Sequence, residues 1–382
     1  MIPYGKQFVS DEDIREVIKV LQSDWLTTGP KVAEFEEMFA DFVGTRHAVA
    51  VSNGTAALHC IMYALGIRKG VEVILSPMTF ASTANCVVFQ GGYPVFADVE
   101  ADTLLIDPEA VRSKITLKTK AIIAVDYAGQ PCNYDALIDI AKQNDIYLIA
   151  DSCHALGAEY RGQKAGSIAN LSAFSFHPVK HITTGEGGMV TTDSFEFAKR
   201  MRRFRNHGID ADFRKREQQG TWYYEMIDLG YNYRITDFQC ALGISQLKKL
   251  PQWIRRRQEI AQRYTRAFAD NPAISPLKLR KDVSHAFHLF VVKINSKNIG
   301  LNRAEIFSAL RKEGIGANVH YLPVHLHPYY RQNFANDIGD CPVAEDAYQQ
   351  IISLPIFSAM SDNDVAAVIK AINKVTHFNA LS

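Results

Sequence analysis

The chain has 382 residues, and 47% of them are hydrophobic, so it can bury a substantial core and form two domains. Its 42 basic and 41 acidic residues leave a formal net charge of +1, which gives no electrostatic reason to expect binding to nucleic acid or to an anionic membrane. The 6 cysteines are scattered without a Cys-x-x-Cys pair, no signal-peptide pattern is seen, and no stretch reaches the roughly 20 apolar residues of a membrane span. These features predict a soluble, cytoplasmic protein.

The first part of the chain alternates between helical and strand-like patterns. Ser10 is a suitable N-cap for an amphipathic helix that extends to about Ser23, and a second helix follows the break at residues 27–30. The pattern then predicts strands at residues 48–51, 72–75, 94–98, 121–125 and 146–150, and helices at residues 55–65, 80–89, 108–115 and 134–143. Repeated strand–helix units predict an α/β fold with a mostly parallel sheet between helices, which binds ligands at the carboxyl ends of its strands.

The pattern changes in the second part of the chain. After Asn232 it predicts a helix that Pro251 interrupts and another that continues to about Ala269. Further on it predicts strands at residues 288–294 and 317–321, and helices at residues 303–312 and 362–375. A domain boundary near Leu250 would divide the chain into a large domain, residues 1–250, and a smaller C-terminal α/β domain, residues 251–382.

Residues 171–190 form the most informative motif. An apolar run ends in a turn that carries Lys180, and a glycine-rich loop leads to a second strand-like run from Met189. Burial disfavours the ammonium form of lysine and favours the neutral amine that attacks carbonyls, of which pyridoxal phosphate is the commonest held in this way. Taken alone, such a lysine is more often a solvated surface charge.

A carboxylate and an anion-binding turn strengthen this interpretation. Asp151 follows an apolar run, where a buried carboxylate needs a cation, and a protonated pyridine nitrogen would supply one. At a separation of about 4 Å the pair would attract by roughly 4 kcal/mol at an effective dielectric near 20. Gly54 and Thr55 lie in a turn that opens a helix and could hold a phosphate together with the Ser175 hydroxyl. The alternatives are ordinary helix caps at both places.

Two further segments could complete a site. Phe80 follows another predicted strand and could stack on a planar cofactor, although core packing is the alternative. Residues 230–234 carry Asn232 and Arg234, whose amide and guanidinium groups could contact anions. No metal is expected, because the histidines at 320, 325 and 327 lack carboxylate or cysteine partners at ligand spacing.

Five motifs occur in an order that is typical of one family. They are Ser-Asn-Gly-Thr at 52–55, Pro-Met-Thr-Phe at 77–80, Asp-Ser-Cys-His-Ala-Leu-Gly at 151–157, Ser-Phe-His-Pro-Val-Lys at 175–180 and Gly-Tyr-Asn-Tyr-Arg at 230–234. Over nearly its whole length the chain resembles the DegT/DnrJ/EryC1/StrS family of pyridoxal-phosphate sugar aminotransferases, which have fold type I. Residues 23–30, 126–132 and 318–325 are more narrowly similar to the pseudaminic acid branch, whose enzymes aminate C4 of a UDP-linked 4-keto-6-deoxy-N-acetylhexosamine.

The resemblance implies pyridoxal 5′-phosphate as cofactor, with pyridoxamine 5′-phosphate as its intermediate form. Lys180 would bind the cofactor covalently and move the proton during catalysis, and Asp151 would pair with the pyridine nitrogen. His154 would lie near the phenolic oxygen, and Phe80 would stack on the ring. The cofactor phosphate would be held by Gly54, Thr55 and Ser175, and by Asn232 of the neighbouring subunit in a homodimer with shared sites.

The resemblance also implies the substrates, L-glutamate and a nucleotide-linked keto-sugar. Arg234 would lie by anionic substrate groups, and the weaker candidates for the nucleotide-sugar pocket are Tyr4, Lys31, His320 and Tyr321. A related group of dehydratases has histidine in place of the lysine, so the presence of Lys180 favours amine transfer. The alternatives are a 3- or 4-keto-6-deoxysugar linked to another nucleotide, such as dTDP or GDP, another pyridoxal-phosphate reaction on the same fold, and a non-catalytic regulatory protein that binds the cofactor.

Overall fold

The computed structural model describes residues 1–210, 216 and 220–377. Its strands are β1 (His47–Val51), β2 (Glu72–Leu75), β3 (Tyr93–Phe96), β4 (Thr119–Val125), β5 (Tyr147–Asp151), β6 (Glu159–Tyr160), β7 (Gln163–Lys164), β8 (Leu171–Ser175), β9 (Gly188–Thr192), β10 (Ile274–Pro276), β11 (Val283–Ser284), β12 (Phe290–Ile294) and β13 (Ile351–Leu354). The α-helices are Asp11–Leu21, Pro30–Val43, Gly54–Ala64, Ser82–Phe89, Pro108–Lys114, Tyr134–Gln143, Phe195–Phe204, Asp237–Ala267, Ser296–Ile299, Arg303–Lys312, Pro328–Asn333, Pro342–Gln350 and Asp362–Val375, with short 3-10 turns at Tyr127–Gly129 and Val324–Leu326.

The largest sheet has seven strands in the order β1-β9-β8-β5-β4-β2-β3. The neighbours from β8 to β3 pair in parallel, whereas β9 runs antiparallel to both β8 and β1. Its inner strands are buried along almost their whole length, because helices cover both faces of a sheet of this kind. The predicted α/β fold with a mostly parallel sheet is confirmed.

This topology brings several chain segments to one edge of the sheet. Strands β1, β2, β4, β5 and β8 all point in the same direction, so their carboxyl ends meet there. The segments that follow these ends begin at Ser52, Ser76, Asp126, Ser152 and Phe176. The first residue of the antiparallel strand β9, Gly188, lies at the same edge, opposite Val51 and Ser175.

A smaller antiparallel sheet, in the order β10-β12-β13, lies in the C-terminal part of the chain. Its apolar residues share one buried cluster with the helices Arg303–Lys312 and Asp362–Val375. A third sheet of very short strands has the order β11-β6-β7, so it joins residues near 160 to residues near 283. The division of the chain at residue 250 stays a prediction, and that position lies inside the helix Asp237–Ala267.

Two sequence predictions are wrong in detail. Pro251 does not interrupt the helix, which is continuous over 31 residues. The buried side chains of Leu250 and Ile254 flank the proline, and their packing offsets the backbone hydrogen bond that it removes. Residues 317–321 do not form a strand, and only Asn318 makes a bridge, to Ser353. The Asn318 side chain accepts a hydrogen bond from the backbone N–H of the next residue, which is a local alternative to strand pairing.

Candidate active site

Lys180 lies in the turn after β8, at the sheet edge where the carboxyl ends meet. Its side chain is partly exposed, and the burial of the remainder lowers the pKa of Lys180 from its usual value. Asp151 and Cys153 are close enough to raise the same pKa, although burial has the larger effect. The amine is therefore easier to deprotonate than a surface lysine, as the sequence predicted.

Asp151 ends strand β5 and is held by hydrogen bonds on both of its oxygens. Thr83 donates its hydroxyl hydrogen to Oδ2 at 2.7 Å, and the backbone N–H of Cys153 donates to Oδ1 at 3.3 Å. The residue is only 5% exposed. A carboxylate in this position is buried without a directly bonded cation among the described residues, so a cationic group beside it would be strongly favoured.

The start of the helix Gly54–Ala64 forms an anion-binding corner. Asn53 caps the helix by accepting a hydrogen bond from the Ala56 N–H at 2.8 Å, and the first N–H groups of a helix attract anions. Gly54 packs directly on Ser175: a Cβ atom at Gly54 would lie 2.9 Å from the Ser175 Cβ and 3.3 Å from its Oγ. Three predicted phosphate ligands, Gly54, Thr55 and Ser175, are thus brought together.

Aromatic and imidazole rings surround another side of the site. The Tyr321 hydroxyl and His154 Nε2 are 3.1 Å apart, and the rings of Phe80 and Tyr321 have centroids 6.3 Å apart. Tyr4 and His320 also pack together, with ring centroids 5.2 Å apart. The ring of Phe80 is largely exposed, which leaves a face that a planar ligand could cover.

The histidines of this group are neutral. Burial is the main cause that lowers the pKa of His154 well below its usual value, and the charge of Lys180 acts in the same direction. Burial likewise lowers the pKa of His320 to about 4 and raises the pKa of the Tyr321 hydroxyl. His154 Nδ1 is buried and has no hydrogen-bond partner in the described part of the chain, so it can still bond to a polar group of a ligand.

Three predicted residues make no contact with the group around Lys180 among the hydrogen bonds and ion pairs of the described residues. Lys31 is paired with Glu34 at 2.7 Å, and its backbone N–H donates to Asp237. Asn232 is exposed, and Arg234 donates to Asn206 at 2.8 Å. The segment 230–234 nevertheless runs beside the anion-binding corner, because the Ser52 N–H donates to the Tyr233 carbonyl at 2.9 Å.

Sequence reasoning missed several residues of the site. Thr83 and Thr79 form a hydroxyl chain to Asp151, and His288 packs on His154 with ring centroids 4.3 Å apart. The three-residue spacing of Thr83 from Phe80 was the one available signal, because both follow β2. His288 comes from the C-terminal part of the chain, and no local pattern connects it with residue 154.

Neither a metal site nor a membrane helix is found in the described residues. No group of three or more His, Cys, Asp or Glu side chains there could hold a metal ion. No helix in the same ranges combines the length and the apolar character needed to cross a bilayer.

A partly buried lysine and a buried carboxylate beside an anion-binding helix start, at the carboxyl edge of an α/β sheet, are typical of enzymes that use pyridoxal phosphate. Comparison with known proteins agrees with this class. The family model of the DegT/DnrJ/EryC1/StrS aminotransferases matches residues 8–373, so the chain belongs to this family of pyridoxal-phosphate-dependent sugar aminotransferases.

Individual relatives are similar over almost the whole chain. The spore coat polysaccharide biosynthesis protein SpsC of Bacillus subtilis is 43% identical, over 98% of this chain and 97% of SpsC. The structure of Helicobacter pylori PseC, an aminotransferase involved in the biosynthesis of pseudoaminic acid, has a TM-score of 0.91 at 35% identity and covers 98% of this chain and 99% of PseC. Spr1654 of Streptococcus pneumoniae, described as a sugar aminotransferase, has a TM-score of 0.93 in its PMP-form at 33% identity, covers 99% of both chains and is also known in a PLP-form. These neighbours confirm the predicted fold type I.

Proposed function

We propose that this enzyme transfers the amino group of L-glutamate to C4 of a UDP-linked 4-keto-6-deoxy-N-acetylhexosamine in the cytoplasm, in the synthesis of a surface glycan. The observation that carries the proposal is the meeting of Lys180 and Asp151 at one sheet edge, in a chain of the sugar aminotransferase family. The choice of sugar rests on the similarity to PseC and on the motifs at residues 126–132 and 318–325.

The residues at the site fit pyridoxal 5′-phosphate. Asp151 would bind the protonated ring nitrogen, His154 has an unsatisfied buried nitrogen for a polar group of the ring, and Phe80 offers an exposed aromatic face. The corner at Gly54 and Ser175 would bind the phosphate, because any side chain at Gly54 would fill it. When bound, the cofactor supplies an electron sink for the carbon that loses its proton.

The chemistry left to the protein is positioning and proton movement. Lys180 would carry a proton on Nζ between the α-carbon of glutamate and the cofactor, and its lowered pKa makes the neutral amine more available as a base than that of a surface lysine. The neutral His154 and Tyr321 would orient polar groups without adding a charge that competes with Asp151. Tyr4 and His320 lie beside them and would contact the sugar nucleotide.

A second sugar substrate is supported by a specific observation. SpsC, a spore coat polysaccharide protein, is more similar to this chain, at 43% identity, than PseC, at 35%. The same site could therefore aminate another nucleotide-linked 3- or 4-keto-6-deoxysugar, such as one linked to dTDP or GDP. Such sugars differ by few atoms, so contacts in the pocket change the relative free energy of their transition states by only a few kcal/mol.

The surface of one chain supports a homodimer. Asp13 of the N-terminal helix Asp11–Leu21 is buried and forms an ion pair with Lys249 of the long helix. The apolar residues Ile14, Ile18 and Leu21 of the N-terminal helix are exposed. A second set of exposed apolar side chains precedes Asn232; it consists of Trp222, Tyr223, Tyr224, Met226, Ile227 and Leu229. Surfaces of this kind on a globular protein are typically covered by a partner, and a second copy would bring its Asn232 to the phosphate corner.

The direct test is incubation of the purified protein with pyridoxal 5′-phosphate, L-glutamate and a panel of UDP-, dTDP- and GDP-linked keto-sugars. We expect 2-oxoglutarate to form only when a keto-sugar is present, and mass and NMR analysis to locate the new amine at C4 of the UDP-linked N-acetylhexosamine. Preference for another sugar would support the second candidate instead.

The matched control is Lys180→Ala, which should lose turnover completely because the variant lacks the amine proposed to move the proton. The variant should still bind pyridoxamine 5′-phosphate, since the residues proposed for the ring and phosphate are intact. Full activity in this variant, or no 2-oxoglutarate from the wild type with any keto-sugar, would contradict the proposed function.

A further inference from the structure

We infer that Thr83 is a positioning residue: its hydroxyl holds the Asp151 carboxylate in the orientation and charge state needed to bind the ring nitrogen of the cofactor, and Thr79 fixes that hydroxyl. The inference rests on the proposed function, because it assumes the role of Asp151. It concerns two threonines for which the family motifs predict no function.

The three side chains form one buried chain of hydrogen bonds. The Oγ1 atoms of Thr79 and Thr83 are 2.7 Å apart, and Thr83 Oγ1 is 2.7 Å from Asp151 Oδ2. All three residues are at most 5% exposed, so water does not compete at these distances.

The polarity of this chain follows from the chemistry of its end. An ionised carboxylate only accepts hydrogen bonds, so Thr83 must give its single hydroxyl hydrogen to Asp151. The oxygen of Thr83 is then left as an acceptor, and the hydrogen between the two hydroxyls comes from Thr79. In this arrangement the hydroxyls donate toward the carboxylate, and it stabilises the charged form of Asp151 most because hydrogen bonds to a charged group are about twice as strong as neutral ones.

Thr83 also connects the carboxylate to the segment that carries Phe80. The helix Ser82–Phe89 begins directly after this segment, and the Thr83 backbone N–H donates to the Phe80 carbonyl at 3.1 Å. The same residue thus links the aromatic face proposed for one side of the ring to the carboxylate proposed for its nitrogen.

The charge on Asp151 needs local support because of its neighbours. The titratable groups that interact with it are Asp126, Lys180, Cys86, Cys153 and Tyr321. Of these, Asp126 carries the same charge when ionised, and the charge of Asp151 contributes to raising the pKa of Asp126, after burial. The Thr83 hydroxyl donates to Asp151, whereas Asp126 accepts its hydrogen bonds from the Tyr134 and Ser152 hydroxyls.

The test compares Thr83→Val, which keeps the shape and removes the hydroxyl, with Thr83→Ser, which keeps the hydroxyl. The readouts are the Kd for pyridoxamine 5′-phosphate from equilibrium titration and the pH profile of kcat/KM. Thr83→Val should weaken cofactor binding by about tenfold or more and move the acid limb of the profile to higher pH, because the charged carboxylate loses a donor. Thr83→Ser should restore both to within about twofold of the wild type.

The matched control is Thr191→Val, which removes an equally buried hydroxyl whose partner is the Gly166 carbonyl. Thr191 pairs with Ala48 and Ser172, at the opposite end of these strands from the site edge. This variant should leave cofactor Kd unchanged. If Thr83→Val does not fold, Thr79→Val provides the test and should shift the acid limb in the same direction by a smaller amount.

The inference is wrong if a folded Thr83→Val variant has the Kd and the pH profile of the wild type. It is also wrong if Thr83→Ser is as impaired as Thr83→Val, or if the acid limb of the pH profile does not move in Thr79→Val. These outcomes differ from a failure of the proposed function, in which the wild type itself would bind no cofactor or transfer no amine.

Discussion

Asp126 follows strand β4 and is completely buried next to the carboxylate of the site. It accepts hydrogen bonds from the Ser152 hydroxyl at 2.7 Å, the Tyr134 hydroxyl at 2.8 Å and the Cys132 N–H at 3.1 Å. Burial nevertheless raises the pKa of Asp126 to about 7, and the charge of Asp151 acts in the same direction. This side chain is therefore partly protonated at neutral pH.

The raised pKa predicts that the protein loses stability as pH increases toward neutrality. In the unfolded chain Asp126 titrates near 3.8, so between about pH 4 and pH 7 only the folded protein keeps the proton. The free energy of unfolding should fall with rising pH in this range and level off above the folded pKa. In Asp126→Asn the free energy of unfolding should change less between pH 5 and pH 8 than in the wild type, by on the order of 2 kcal/mol.

Urea unfolding of the wild type and Asp126→Asn at pH 5, 6, 7 and 8 would measure this effect. Groups that titrate in both proteins, including the histidines, cancel in the comparison. Parallel curves for the two proteins would show that the Asp126 pKa does not differ between the folded and unfolded chains.

At the scale of elements, the sequence predicted helix bounds best where an N-terminal capping residue is followed by apolar residues at helical spacing. Helices Arg303–Lys312 and Asp362–Val375 have the predicted bounds, and both begin at capping boxes formed by Asn302 and Ser361. The strand at residues 317–321 and the break at Pro251 were wrong, because side-chain competition in one case and tertiary packing in the other outweigh local propensity.

The contact between strand β9 and the helix start is a second property of elements that a linear pattern does not reveal. A Cβ atom at Gly188 would lie 2.4 Å from the Asn53 carbonyl oxygen and 2.9 Å from the Gly54 nitrogen. Both are backbone atoms, so neither can rotate away. The glycine lets the strand approach the corner proposed for the phosphate, which explains why the loop before β9 ends in Gly-Gly.

Gly188→Ala should therefore destabilise the protein by about 3 kcal/mol and weaken cofactor binding, because the strand and the helix start must separate. Chemical denaturation and cofactor titration would measure the two effects. Gly5→Ala is the control, since its Cβ would lie an ordinary 3.5 Å from Val179 and its stability should be close to that of the wild type. An equally stable Gly188→Ala would mean that the backbone adjusts without cost.

At the scale of the whole molecule, local sequence pattern predicted the part of the site on the strand ends, whereas Tyr4, His320 and Tyr321 were expected only from the family resemblance. Gly54, Asp151, His154, Ser175 and Lys180 follow β1, β5 and β8, and parallel pairing of β5 with β8 brings their ends together. Thr83 and His288 were missed because their proximity depends on packing between distant segments. Asn232 is exposed in one chain, and its action across a subunit interface stays a prediction.

The shared site can be tested by mixing two inactive variants, Lys180→Ala and Asn232→Ala. In a mixed dimer, one site combines the intact Lys180 of one subunit with the intact Asn232 of the other, so random exchange should restore about one quarter of the wild-type activity. Each variant alone, mixed with itself, should stay at its own low level.

Size-exclusion chromatography with light scattering would establish that both variants remain dimers. Leu229→Asp, which places a charge on the exposed apolar surface, should shift them toward monomers. Absence of restored activity in dimers that have exchanged subunits would mean that Asn232 does not complete the partner's site, because each site would then need both residues from one chain.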